Sequence, residues 1–179
     1  MKIVLVSPPG TENILLGEPL SENINIPYVD LDELIEEDLG ISISEYIDQN
    51  GIAAFRDIET RTLEFVLASD KDIIISIDEV LLERKMNKKL LSTQPYVIRI
   101  KIDIQELVKH LKEVENTGLS DVQIRESIKK IDTERAPWYK ECSLYDFYFN
   151  SGMTKKENIE RFNAFALQMI EDSEKKRAL

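Results

Sequence analysis

Lys2-Ile3-Val4-Leu5-Val6-Ser7-Pro8-Pro9-Gly10-Thr11-Glu12-Asn13-Ile14 is the stretch on which the rest of the chain turns. It is an apolar, β-branched run closed by Pro-Pro-Gly and followed by a helix-like segment. Nucleotide-binding α/β proteins commonly begin this way. A phosphate-binding loop of the form GxxxxGK[ST] wraps phosphates with glycine backbone N–H groups, neutralises them with a lysine and holds Mg²⁺ with a hydroxyl. On that template Ser7 takes the place of the first Gly and Glu12 the second. Asn13 falls on the Lys and Ile14 on the Ser/Thr, with only Gly10 left inside the loop. The position is right and the chemistry is missing.

The 179 residues, 42% of them hydrophobic, suit one domain with one core spanning 1–179. A formal charge of −11 argues against nucleic acid and anionic membrane surfaces as partners, because both repay basic patches. No apolar run approaches the ~20 residues of a membrane helix, and the N-terminus enters a strand with no signal peptide ahead of it. Cys142, the single cysteine, cannot close an internal disulfide. A cytoplasmic monomer is expected.

Beyond the first loop, Ile14–Asn23 reads as a weak helix interrupted by Gly17 and Pro19, short or kinked where a phosphate loop needs a firm helix start. Ile26–Val29 is a short strand ending at Asp30, with Asp32 as N-cap of a helix over Glu33–Asp38 that Gly40 stops. Helices follow over Ser42–Asn50 and Gly51–Ser69. The run Asp72–Ser76 suits a strand covered on both faces. A basic helix over Glu83–Thr93 precedes a strand over Pro95–Ile102, and Asp103 caps a helix over Ile104–Glu115. Ser120–Gln123 and Thr154–Glu157 are capping boxes opening two further helices, with an aromatic strand over Tyr145–Phe149 between them. The charged residues Glu171–Leu179 should fray. Strands separated by helices require crossovers. The expected fold is therefore a three-layer α/β/α sandwich around a five-stranded parallel sheet.

With the elements in order, the local wording resembles the shikimate kinase family of small P-loop kinases, over nearly the whole chain. Tyr28-Val29-Asp30-Leu31-Asp32-Glu33 resembles the family's D-x-D strand end. Ala53-Ala54-Phe55-Arg56 resembles its E-x-x-F-R helix start without the Glu, and Glu134-Arg135-Ala136-Pro137-Trp138-Tyr139 resembles its R-x-P-L-Y segment. The resemblance implies acceptor-binding roles for Asp32, Arg56 and Arg135, and a place in the Mg²⁺ shell for Asp30. It also implies a triple-glycine loop, which falls on Ser76-Ile77-Asp78 where no glycine stands. A lid is implied over about 114–122, where Glu115–Leu119 carries no arginine.

Phosphoryl transfer is mainly positioning and electrostatic stabilisation, so a cradle without lysine, hydroxyl or lid arginine loses its catalytic parts. No cofactor and no metal are expected on this reading. The chain is then a catalytically impaired member of the family, binding a small hydroxylated carboxylic acid or a protein partner. The alternative is an active phosphotransferase, ATP to a small hydroxy acid, with Asp32 as its catalytic residue. Backbone amides around Pro9–Glu12 and lysines such as Lys85, Lys88 or Lys89 would then take over from the lost cation. A third reading is a subunit whose active partner supplies the chemistry. His110 reads as a solvated helix residue, Cys142 as a buried thiol, and Trp138 and Tyr139 as packing residues.

Overall fold

The computed structural model describes residues 1–8, 16–115, 120–142 and 145–177. Its strands are β1 (Lys2–Ser7), β2 (Tyr28–Asp30), β3 (Ile73–Asp78), β4 (Tyr96–Ile102) and β5 (Tyr145–Phe149). They form one parallel sheet in the order β2-β3-β1-β4-β5. The helices are α1 (Gly17–Ile24), α2 (Leu31–Leu39), α3 (Ile43–Asn50), α4 (Ile52–Ala68), α5 (Lys85–Ser92), α6 (Ile104–Glu115), α7 (Asp121–Cys142) and α8 (Lys155–Arg177).

Side chains alternate across β1, and that alternation divides the core. Val4 and Val6 face a cluster with Leu31, Phe55, Leu63, Leu91 and Tyr139, from α2, α4, α5 and α7. Ile3 and Leu5 face Leu20, Phe162, Ala166 and Met169, from α1 and α8. Both faces of the central strand are thus covered, which is why it reads as a continuous apolar run. The chain crosses from β1 over β3 to β2, then returns across the sheet through β3 to β4. The winding therefore reverses between β1 and β3, and their carboxyl ends open a crevice there. Register sets Ser7 beside Asp78 at its mouth.

Several expected boundaries shift, each for a local reason. Asp30, not Asp32, is the N-cap of α2: its Oδ1 accepts from the backbone N–H groups of Asp32 (2.9 Å) and Glu33 (3.2 Å). Pro19 lies in the first turn of α1, where its missing N–H has no intrahelical partner to lose. Gly17 opens that helix because the Tyr28 ring packs against it: an added Cβ would stand 2.1 Å from Tyr28 Cε2. A 3-10 turn over Glu79–Glu83, capped by Asp78, follows β3, and the basic helix expected over Glu83–Thr93 is the shorter α5. Helix α8 extends to Arg177, beyond the frayed end expected at Glu171. Both capping boxes are present: Gln123 Oε1 accepts from Ser120 N, and Glu157 Oε2 from Thr154 N. Among the described residues no helix is long and apolar enough to cross a membrane.

Candidate active-site cleft

The crevice between β1 and β3 is walled by the start of α2, the first turns of α4, the 3-10 turn after β3 and the middle of α7. Asp30, at the end of β2, is held on both oxygens. Oδ1 caps α2, and Oδ2 accepts a 2.5 Å bond from the Ser76 hydroxyl on β3. Tyr28 Oη lies 2.7 Å from the same Ser76 oxygen, and burial pushes the phenol up to about 12.

Asp32, two residues on, points among other acids. Its pKa rises to about 7, chiefly because burial disfavours the charged form, and next because Asp30, Glu59 and Asp78 repel it; Arg56 offsets little of this. Asp78 rises to about 6 by the same desolvation, against the backbone N–H of Val80 that it accepts. Asp32 and Arg56 form no ion pair with each other, since the guanidinium is engaged elsewhere. Arg56 Nη1 donates to both carboxylate oxygens of Glu59 at 2.6 Å, one turn along α4. Glu59 is only 2% exposed.

Arg135 is engaged in the same way, from further off. Its Nη1 donates at 2.5 Å to Glu79 Oε1, and Nη2 lies 3.7 Å from Glu83. Glu79 is 6% exposed and also accepts the Tyr139 hydroxyl. That carboxylate, together with burial, pushes the Tyr139 phenol far up, burial being the larger cause. Arg99 stacks on the Tyr139 ring, 3.3 Å from its centroid, and pairs with Asp132. Each cleft arginine is thus paired with a buried carboxylate, Arg56 with Glu59 within α4 and Arg135 of α7 with Glu79 of the 3-10 turn.

Beside this network, between β4, β5, α6 and α7, lies a chamber of about 730 Å³. Its aliphatic wall includes Leu107 and Leu111 of α6 and Ile124 and Ile128 of α7, while Arg99, Lys101, Glu79 and Arg135 supply the polar side.

Of the residues singled out from sequence, Asp30, Asp32, Arg56 and Arg135 surround the crevice, and Ser7 stands at its mouth. Gly10, Glu12, Asn13 and Ile14 lie outside the described residues, as do 116–119 of the expected lid; 114–115 close α6 and 121–122 open α7. Lys88 pairs with Glu141 at 3.0 Å, and the Cys142 thiol is buried and pushed up to about 11, mainly by desolvation. Sequence reasoning missed Glu59 and Glu79. The spacing of three from Arg56 to Glu59 is a helical pairing signal. Nothing in the sequence links Glu79 to Arg135, 56 residues away.

Whether these residues suit a magnesium polyphosphate depends on their donor chemistry. Both Asp30 oxygens are already committed within the protein. Among the described residues no three His, Cys, Asp or Glu side chains gather as a metal site.

Parallel strands in this order, with ligand-type residues at the switch point, define an α/β fold of the P-loop kinase type. The family model described as Shikimate kinase matches residues 15–166. Curated shikimate kinases are similar: that of Streptococcus gordonii is 33% identical over 147 residues (81% of this chain, 88% of the relative), and that of Dictyoglomus turgidum 31% over 136 residues (75% and 79%). Two solved structures share the fold at 21% identity. Shikimate kinase from Acinetobacter baumannii in complex with shikimate has TM-score 0.79, with 96% and 93% of the two chains covered. That from Bacteroides thetaiotaomicron has TM-score 0.77, with 92% and 97% covered. The chain belongs to the shikimate kinase family.

Proposed function

We propose that this protein keeps the family's frame and acceptor-side residues but does not transfer phosphate from MgATP at a kinase's rate, serving instead to bind a small ligand or a protein partner without a metal or nucleotide cofactor. The observation that carries this reading is Glu12-Asn13-Ile14, placed by gapless spacing from β1 where Gly-Lys-Ser/Thr would stand. Losing one strong charge-assisted contact costs roughly a hundredfold or more in rate, and here cation, hydroxyl and lid arginine are absent together. Two observations on the acceptor side add support: Arg56 and Arg135 are each bonded to a buried glutamate.

A second reading is an active phosphotransferase acting on a small hydroxy acid, with an atypical nucleotide site. The names of the relatives favour it over a silent protein. So does Asp32: a carboxylate with a pKa near 7 holds and releases a proton at working pH, as a general base for a hydroxyl must. On that reading Asp32 takes the hydroxyl proton and Arg56 and Arg135 orient the acceptor.

A coupled assay of the full chain with MgATP and shikimate separates the two. Turnover near the 1–100 s⁻¹ typical of kinases, abolished by Asp32→Asn, overturns the first reading and establishes the second. No turnover, with no rise in unfolding midpoint from MgATP, supports the first; a ligand at a hundred times its Kd would add ~2.7 kcal/mol.

A further inference from the structure

The chamber beside the cleft has most of its cationic side chains already paired with carboxylates. Its cationic lining is Arg99, Lys101, Lys129 and Arg135. Arg99 is paired with Asp132, Lys101 with Asp146 at 2.6 Å, and Arg135 with Glu79 at 2.5 Å. Lys129 is solvent-exposed. Glu79 and Asp132 themselves line the chamber, so the neutralising carboxylates stand inside the wall rather than behind it. Arg135 is only 12% exposed, and its partner Glu79 also holds the Tyr139 hydroxyl. An entering acid would find that guanidinium already bonded to a buried carboxylate. What remains for a ligand is the aliphatic wall from α6 and α7.

We propose that this chamber is a binding site for a small uncharged, mainly apolar molecule, and that Glu79 sets the preference by occupying Arg135 in place of a ligand's carboxylate. The volume of about 730 Å³ lies within the range of small-molecule pockets, and the wall joins an aliphatic side to charged groups that are mostly paired with one another. Dispersion and desolvation of Leu107, Leu111, Ile124 and Ile128 supply the affinity. The inference rests on the reading that this cleft is not a working polyphosphate cradle, and it names the ligand class for it.

Glu79 acts here as a specificity-determining residue. In the ligand-free protein its carboxylate satisfies Arg135 and Tyr139 together. A neutral ligand leaves those bonds intact. A carboxylate must either break them or sit near Glu79 with only the exposed Lys129 as counter-ion, and a buried, poorly paired charge is expensive.

The test is calorimetric titration of the full chain at neutral pH, without nucleotide, with a matched pair of probes: a naphthol and the naphthoate of the same ring skeleton. The expected result is saturable naphthol binding, with naphthoate weaker by about tenfold or more. Glu79→Gln, which keeps the side-chain shape and removes the nearer and buried of Arg135's two carboxylate partners, should reverse that preference towards naphthoate. Ile128→Asp should abolish naphthol binding. Ile131→Asp is a second wall variant at a position already 39% exposed, so the fold tolerates it, and it should weaken naphthol binding as well. The proposal is overturned by no heat with naphthol, by naphthoate binding as tightly as naphthol to the unaltered chain, by naphthol binding that ignores both wall variants, or by a preference unchanged in Glu79→Gln. Kinase turnover does not enter this readout. A turnover-positive chain that still prefers naphthol would overturn the first functional reading alone.

Discussion

The two halves of the cleft solve one problem in different ways. On the α4 side, Arg56 reaches Glu59 three residues on within one helix. On the α7 side, Arg135 reaches Glu79, 56 residues earlier, across the 3-10 turn that follows β3. Both glutamates are buried, but the arginines differ: 24% of the Arg56 side chain is exposed against 12% of Arg135. The local pair can rehydrate its cation if the partner is lost. The long-range pair cannot, and it also carries the Tyr139 hydroxyl. The same chemical contact is therefore a helix-surface accessory on one side and a structural joint between α7 and the sheet on the other.

Removing each carboxylate in turn breaks that comparison open. Glu79→Ala should cost most, about 3–5 kcal/mol, because it leaves a buried guanidinium and a buried phenol without their acceptor. Urea denaturation of the variant against the parent chain measures it, read as a fall in midpoint at constant slope. Glu59→Ala should cost less, about 1–3 kcal/mol, since Arg56 recovers water. Equal losses at the two positions would mean that exposure of the arginine does not decide the cost.

A smaller effect separates the acids between the two halves. Asp32 is raised from its ordinary 3.8 to about 7 by burial and by neighbouring carboxylates. At pH values between these, the folded chain holds a proton that the unfolded chain has released, so stability is fully present below about pH 4 and falls as pH rises through 7. Asp32→Asn removes that loss. Thermal unfolding should show the variant ahead by roughly 1 kcal/mol at pH 8, after allowance for solvent screening, and level with the parent at pH 4. An advantage at pH 4 instead would give the opposite sign and show that Asp32 is stabilised as an anion.

The sheet was legible because its code is local and repeated. Lys2–Ser7 and the strand after Asp72 carry the unbroken apolar runs of strands covered on both faces, and Ser120–Gln123 and Thr154–Glu157 mark helix starts within four residues each. The D-x-D segment was legible as a unit, but the cap fell to Asp30. A strand ending at residue 30 leaves that residue extended and able to fold its side chain over the next two N–H groups. Arg56 and Arg135 were found, while their partners were not. Glu59 stood within reach of a helical spacing rule. Glu79 follows directly on Ser76-Ile77-Asp78, where the family resemblance puts glycines, and nothing about a glutamate in Asp78-Glu79-Val80 announces a bond to a helix 56 residues on.

Residue order alone determined the alternation of strands and helices, the parallel sheet it forces, and the presence of Glu12-Asn13-Ile14 in the segment after the first strand. Each follows from periodicity, chain connectivity or side-chain chemistry, which need no knowledge of distant neighbours. The tertiary structure decided which charges meet: Arg135 with Glu79, Arg99 with Asp132, and Asp32 surrounded by its own kind. Charge pairing and pKa depend on distance and burial in space, and those quantities exist only once α4, α7 and the turn after β3 are packed against one crevice.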